Sequence, residues 1–495
     1  MSQQELNKSL GYFPLIALGV SGVVGSGWIY TNGSFFADYG AGGMIFGLAL
    51  GSILAAFVAL AYAQLTSLFP RAGGEVVFGY TLMGRRWGFW AGWLIIGAYV
   101  SSLAFYFTAF GNLMDRVLPF MHLIPLYEIA GEPVTLPVLI SGVILTLLFL
   151  GLNYFGVSLG GQLQVLLFAA LLFIGFCLVV VGFTQGSVDN FWPAFTDDQN
   201  PVTNIIRFIV PGMTYMAGFG LVATLAEDAN LPPKKIGNLV VLTVLLAGSF
   251  YCIVLMSSAW ILPWEEVAGM DQGTISAFTE AGFPLLGWGA FAIAILGLLT
   301  SFLGLYMATS RVIVAMARVE LLPRSLAKLD PKRGTPKNAL LCVSAITVAL
   351  GWLGPGAIGW FLDTGGIYLG LVWVIVVLAQ ARLFKVFPHL AKKTRAGSRL
   401  LPTIGAVGAV LVILFALFPG SPKSLIWPAE YVILVLWFAL GIFFYAVSSK
   451  RATITEDQAL YDLLGEYKDT LEEVKVNPAA TDTNFSTGDI KPDVS

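Results

Sequence analysis

Seven residues in the first apolar stretch, Gly22-Val23-Val24-Gly25-Ser26-Gly27-Trp28, are of a kind that holds a charged ligand without a charged side chain. Glycine is the residue least suited to a helix interior, and irregular backbone at bilayer depth is tolerated only where it is buried in protein or lines a cavity. A break there frees backbone groups. The amides after it open a second half-helix whose positive end suits an anion such as a carboxylate, and the carbonyls before it suit a cation. The same glycines also permit close helix packing, and both readings stand. A second irregular run, Pro211-Gly212-Met213-Thr214-Tyr215-Met216-Ala217-Gly218-Phe219-Gly220, lies five apolar segments later. Paired interruptions in two halves of a chain point to an inverted repeat with a ligand at the midplane.

Such runs need long helices to carry them. Of 495 residues 57% are hydrophobic and 11% charged, with a mean hydropathy of +0.81, which predicts an all-α polytopic membrane protein. Apolar stretches of spanning length fall at about 12–36, 42–69, 88–118, 136–156, 160–183, 203–226, 238–262, 287–317, 339–354, 358–380, 401–419 and 427–447, about twelve in all. Repeats of about 12–183 and 203–380 would form a transporter domain over 12–450, with 401–447 appended, a short segment 1–11 before it and a tail 451–495 after it.

No cleavable signal peptide is apparent, since residues 1–11 lack a basic region and the first stretch runs to full spanning length. Lys8, Arg71, Arg85, Arg86, Lys234, Lys235, Arg324, Lys328, Lys332, Arg333, Lys337, Lys392, Lys393, Arg395, Arg399, Lys450 and Arg451 fall in one set of loops. The opposite set has mainly Arg116, Arg207 and Lys423, beside Asp189, Asp197, Asp198, Glu265, Glu266 and Asp271. Positive loops stay inside, so both termini are expected in the cytoplasm of a plasma membrane protein. In the tail, Leu460, Leu463, Leu464, Tyr467, Leu471 and Val474 recur at helical spacing over 455–474, and the chain beyond Asn477 has too little apolar content to order itself.

Enzyme chemistry has little to stand on. His122 and His389 are the only histidines and both lie near span ends or in loops. Cys177, Cys252 and Cys342 sit inside apolar spans as small packing residues rather than a disulfide framework. No metal spacing, phosphate loop, channel filter or basic-aromatic nucleic-acid surface is present, and no cofactor is expected.

Four motifs in order, Gly22-Val-Val-Gly-Ser-Gly27, Phe69-Pro-Arg-Ala-Gly-Gly-Glu75, Gly218-Phe-Gly-Leu-Val-Ala-Thr-Leu-Ala-Glu227-Asp228 and Arg311 through Ala317-Arg318 to Leu322-Pro323, resemble the amino acid-polyamine-organocation (APC) permeases. The resemblance covers roughly residues 10 to 450. It implies the leucine-transporter fold, a five-plus-five inverted repeat with alternating access around a central amino acid site. The substrate carboxylate would then meet the amides of Ser26 and Gly27 with the Ser26 hydroxyl as a further donor, and its amino group the carbonyls of Val23, Thr214 and Ala217 beside Gly218. Where many relatives carry a bulky aromatic gate this chain has Thr214, which leaves Tyr215, Met216 and Phe219 as gate candidates. Trp28, which stands where a small aliphatic is more usual, is the fourth gate candidate. Gly220 replaces an acidic residue of many relatives, which makes a polyamine a poor substrate.

For the coupling ion, the lysine that proton-driven relatives place in span five is missing between Gly160 and Gly182. Thr300 and Ser301 fall where sodium-coupled proteins of this fold supply two hydroxyls, facing carbonyls that would be Ser21 and Val24, with Gly297 adding another. Sodium is therefore expected, a proton being the alternative and pure exchange the third. Asp363 and Glu75 are the remaining carboxylates near membrane depth. Glu227 and Asp228, beside Lys234 and Lys235, are expected to form ion pairs that hold the inward gate shut. An importing symporter, an exchanger and a sensor of the same fold are the function classes; the oligomeric state is not legible.

Overall fold

The computed structural model describes residue 6 and residues 8–196, 200–270, 272–388, 399–419, 421, 424–465, 467 and 468. The expectations on Asp197, Asp198, Asp271, His389, Lys392, Lys393, Arg395, Lys423 and the chain beyond Asn477 lie outside the described residues.

The protein is an all-α polytopic membrane bundle. The first crossing is α1 (Tyr12–Val24) and the start of α2 (Trp28–Leu68), interrupted at residues 25–27. α2 turns at Gly40, where φ is 71°, and its remainder is the second crossing. A Cβ at Gly40 would lie 2.7 Å from the Ala194 carbonyl oxygen, so only glycine permits this turn against the 191–196 segment. A short helix α3 (Gly74–Met83) leads to crossings three to five, α4 (Arg85–Met114), α5 (Leu136–Phe155) and α6 (Val157–Gln185). The sixth is broken again, into α7 (Pro201–Tyr215) and α8 (Leu221–Thr224). Then come α9 (Pro233–Ile261), the short α10 (Trp264–Ala268) and α11 (Gly273–Glu280), α12 (Pro284–Arg318), α13 (Lys337–Gly351) and α14 (Ile358–Val386). Two further crossings, α15 (Leu400–Leu417) and α16 (Ala429–Arg451), precede the tail helix α17 (Glu456–Leu464).

Burial sorts these helices into layers. Of the apolar window of each helix 89% is buried for α4 and 78% for α12, against 11% for α16. The first two are core helices and the last faces lipid, as an appended helix must. α2 packs against α7 and α9, and α1 is enclosed by α6, α9 and α12. Both broken helices therefore sit at the centre.

Two local features depart from expectation. The segment between crossings three and four carries a hairpin, β1 (Pro125–Ile129) against β2 (Glu132–Thr135), closed by Ala130 and Gly131 with positive φ. The tail helix is regular over Glu456–Leu464 and is interrupted at Gly465, where φ is 56°; the expectation on Leu471 and Val474 lies outside the described residues. The helix is also docked: Leu463 and Leu464 are buried, and Arg71 Nε donates to the Leu463 carbonyl at 3.2 Å. Glu320 ties its approach by accepting from the Thr453 and Ile454 amides at 2.7 and 3.0 Å.

Candidate functional site

The two helix breaks share one cavity of about 820 Å³. Val23, Gly25, Ser26, Gly27 and Trp28 line it from the first break, and Thr214, Tyr215, Ala217 and Gly218 from the second. Its wall continues to Ser34, Asp38, Asn112 and Asp363, which are exposed, so the cavity opens at the end away from Arg71, Arg311 and Arg318.

The glycines divide by role. Gly25 and Gly218 have φ of 25° and 106°, and a Cβ at Gly218 would collide with the Gly22 carbonyl, as one at Gly297 would with that of Gly25. Gly218 and Gly297 exist for backbone-to-backbone approach, whereas a Cβ at Gly25 would meet the Tyr106 hydroxyl. At Gly27 nothing lies within 4 Å of a built Cβ. Gly27 thus faces open cavity, at the N-terminus of α2, where the first amides of a helix have no carbonyl of their own to bind. The Ser26 hydroxyl is buried on the same wall and makes no hydrogen bond to a described residue. Acceptors come from the other side of the break, although several are shared: the Val23 carbonyl accepts from Tyr251 at 2.6 Å, Val24 from Trp28 Nε1 at 2.8 Å, and Thr214 from the Ala217 amide at 2.9 Å.

Of the four gate candidates only Trp28 and Tyr215 reach the cavity. Trp28 packs edge-on to Tyr251 at 5.0 Å between centroids, and Tyr251 contacts Tyr215 at 5.9 Å, which makes an aromatic wall. Met216 and Phe219 are buried beneath it. Phe219 lies between Tyr62 at 5.1 Å and Trp373 at 5.3 Å and seals the floor.

Below that seal is a layer of ions. Asp228 accepts from Arg311 Nε at 3.0 Å and Nη2 at 2.9 Å; Glu227 accepts from both Arg318 nitrogens at 2.8 Å, with Arg71 at 3.7 Å. Glu227 and Asp228 do form ion pairs, but their cations are these arginines and not Lys234 and Lys235, which are exposed. A bidentate guanidinium satisfies a buried carboxylate that a solvated lysine would leave half-paired. Glu75 stands in α3, fully buried.

The two carboxyls titrate in opposite senses. Burial pushes Glu75 up from the usual 4.5 to about 7. The Arg318 and Arg71 guanidiniums overcome burial at Glu227 and hold it well below the usual carboxylate range. With its folded pKa raised, Glu75 binds more protons native than unfolded, so its contribution is greatest below about pH 4.5 and is lost as pH rises to about 7. Glu227 stabilises above its unfolded pKa and loses this only under stronger acid. Melting temperature in detergent should therefore fall between pH 5 and 8 for the wild type more steeply than for Glu75→Gln. Parallel curves would show that Glu75 is ionised throughout.

Of Ser21, Val24, Gly297, Thr300 and Ser301, the structure joins Ser21 of α1 to Ser301 of α12, with Gly297 and Thr300 on the turn before it, while the Val24 carbonyl is taken by Trp28 Nε1. Ser301 Oγ donates to the Ser21 carbonyl at 2.6 Å, and Thr300 Oγ1 bonds back to Leu296 at 2.8 Å and Gly297 at 3.1 Å. Among them lies a side chain sequence reasoning missed: Gln164 of α6 donates through Nε2 to Ser21 Oγ and, at 3.2 Å, to the Thr300 carbonyl. Gln164 thus takes up two oxygens of this cluster, and its own Oε1 is buried with no hydrogen-bond partner among the described residues. Gln164 was visible as a polar residue in span five, but its partners lie 143 and 136 residues away. Tyr99, Tyr106 and Tyr251 on the cavity wall were likewise hidden among many aromatics.

Two interrupted helices meeting around a cavity open at one end and sealed at the other define a membrane carrier, not an enzyme. The chain belongs to the amino acid permease family, whose model matches residues 10–445. It is 25% identical over 462 residues to the branched-chain amino acid permease BcaP of Lactococcus lactis subsp. cremoris, covering 91% of this chain and 96% of that one. It is 22% identical over 455 residues to the methylthioribose transporter of Bacillus subtilis, covering 91% and 95%. It is 24% identical over 361 residues to human cationic amino acid transporter 4, covering 71% and 56%.

Proposed function

We propose that this permease is a secondary active transporter that imports an amino acid, or a closely related amine, across a bacterial plasma membrane by ion-coupled alternating access. The observation that carries the reading is Gly27, a glycine at a half-helix N-terminus whose missing side chain leaves room for a carboxylate at free amides. With the arginine-bearing end in the cytoplasm, the cavity faces outward and the inward gate is shut. The wall of Trp28, Phe105, Tyr106 and Leu305 favours an uncharged side chain. The relatives named for branched-chain amino acids support the same choice.

Purified protein in liposomes tests this against a panel of the common amino acids. Accumulation driven by an ion gradient is the expected result; uptake only with internal substrate would make the protein an exchanger, and binding without flux a sensor.

For the ion, both candidate hydroxyls are already engaged, Ser301 with the Ser21 carbonyl and Thr300 with its own preceding turn, which favours a proton over sodium. Replacing sodium by choline is therefore expected to leave uptake unchanged, in the wild type and in a Thr300→Ala, Ser301→Ala double variant. If sodium stimulates uptake, and the double variant needs about five- to a hundredfold more of it, as loss of a ligand worth about 1–3 kcal/mol predicts, the sodium reading is restored.

A further inference from the structure

Between the seal at Phe219 and the arginine layer lies one carboxyl that neither the substrate site nor the gate uses. Glu75 is fully buried at the start of α3, and its Oε2 accepts from Thr224 Oγ1 of α8 at 3.0 Å. The Tyr62 hydroxyl of α2 and the Tyr99 hydroxyl of α4 face it. The charged groups around it are engaged elsewhere: Arg311 of α12 by Asp228, and Arg318 and Arg71 by Glu227. α14 brings no charge within ion-pair reach, and Glu456 of α17 acts on Tyr80 at the far end of α3. Among the described residues no cation lies within 4 Å of the Glu75 carboxyl. A bare anion in so dry a place is unfavourable, and the neutral acid is held instead.

Two more observations connect this acid to the substrate cavity. Tyr99 lines the cavity, while its hydroxyl lies beside Thr224 and Glu75, so one ring spans the seal. At Gly220, the last residue of the second break, a Cβ would come 2.7 Å from Glu75 Oε1. The glycine clears the space that the carboxyl occupies.

We propose that Glu75 is the proton site of the transport cycle, loaded from the cavity through the Tyr99 hydroxyl while the inward gate is shut and emptied to the other side when that gate opens. The inference rests on the transport reading above. One proton joins the carboxylate from the cavity face and the same proton leaves to water once the Tyr62–Phe219 layer parts; wetting returns the group to its ordinary acidity. No bond to substrate forms, and one proton crosses with each substrate molecule.

The test uses the full-length protein in liposomes at pH 5.5 outside and 7.5 inside, with the membrane potential clamped and leucine as probe, or another amino acid if the panel singles one out. Wild type should accumulate the probe up to about 100-fold, tenfold for each pH unit at one proton per substrate. Glu75→Gln, which mimics the neutral acid, should lose accumulation altogether and keep counterflow within about threefold of wild type, independent of pH. Accumulation by Glu75→Gln at the wild-type ratio, or loss of counterflow along with accumulation in a folded variant, overturns the proposal. Should Glu75→Gln not fold, Glu75→Asp decides: a shifted pH midpoint of accumulation supports the assignment and an unchanged one overturns it. Wild type without counterflow of any amino acid refutes the transport reading, whereas wild-type counterflow without accumulation under the pH gradient refutes the proton site alone.

Discussion

Gly27→Leu should abolish uptake in a protein that still folds. Most glycine-to-leucine changes in a packed membrane bundle fail by collision, but at Gly27 nothing lies within 4 Å of the new Cβ, so the side chain enters the cavity rather than a neighbour. There it covers the opening amides of α2. Hydrogen bonds from backbone to a charged carboxylate contribute about 1.5–3 kcal/mol each, so losing two lowers affinity by more than about 100-fold. Gly218→Leu is the contrasting case, because its Cβ would strike the Gly22 carbonyl and its φ of 106° resists any side chain; that variant should not fold. A monodisperse Gly27→Leu protein that transports at the wild-type rate would move the substrate site elsewhere.

The second large effect is at the buried pair of Arg311 and Asp228. Arg311→Ala leaves Asp228 as a carboxylate 1% exposed without its bidentate partner, and breaking a buried pair from one side costs about 3–5 kcal/mol. That penalty falls on the conformation in which the pair is buried, so the variant should melt lower and bind substrate more weakly from the cavity side. Removing both charges, as Asp228→Leu with Arg311→Met, should recover most of the lost stability, since a buried pair and an apolar replacement of similar volume are often nearly equal. Melting at the wild-type temperature in Arg311→Ala would show that this pair contributes nothing net.

Much of this architecture is legible from residue order alone. Apolar runs of spanning length give the crossings, and the Gly22–Gly27 and Pro211–Gly220 runs mark both broken helices, because backbone irregularity leaves a local compositional trace. What a residue faces leaves none. Gly25 and Gly27 look alike in sequence, yet one abuts the Tyr106 hydroxyl and the other the cavity. Lys234 and Lys235 lie a few residues from Asp228, but the partner that reaches it is Arg311, 83 residues on. Gln164 enters the candidate ion position from a third helix by packing alone.

Glu227 accepts from the Leu6 amide at 3.2 Å, the Ala72 amide at 3.0 Å and the Arg318 guanidinium, with Arg71 beside it. Its hydrogen-bond partners come from stretches 91 to 221 residues away along the chain. None can withdraw alone without stranding a charge or a polar group that the rest had satisfied in a dry place. We expect the barrier on that side to part as a unit, with no stable half-open form between closed and open. A fluctuation that frees one strand is pulled back before the next can follow. Such a barrier stays tight against leakage of small ions while the opposite mouth stands open, a requirement that any gradient-storing membrane places on the proteins it holds.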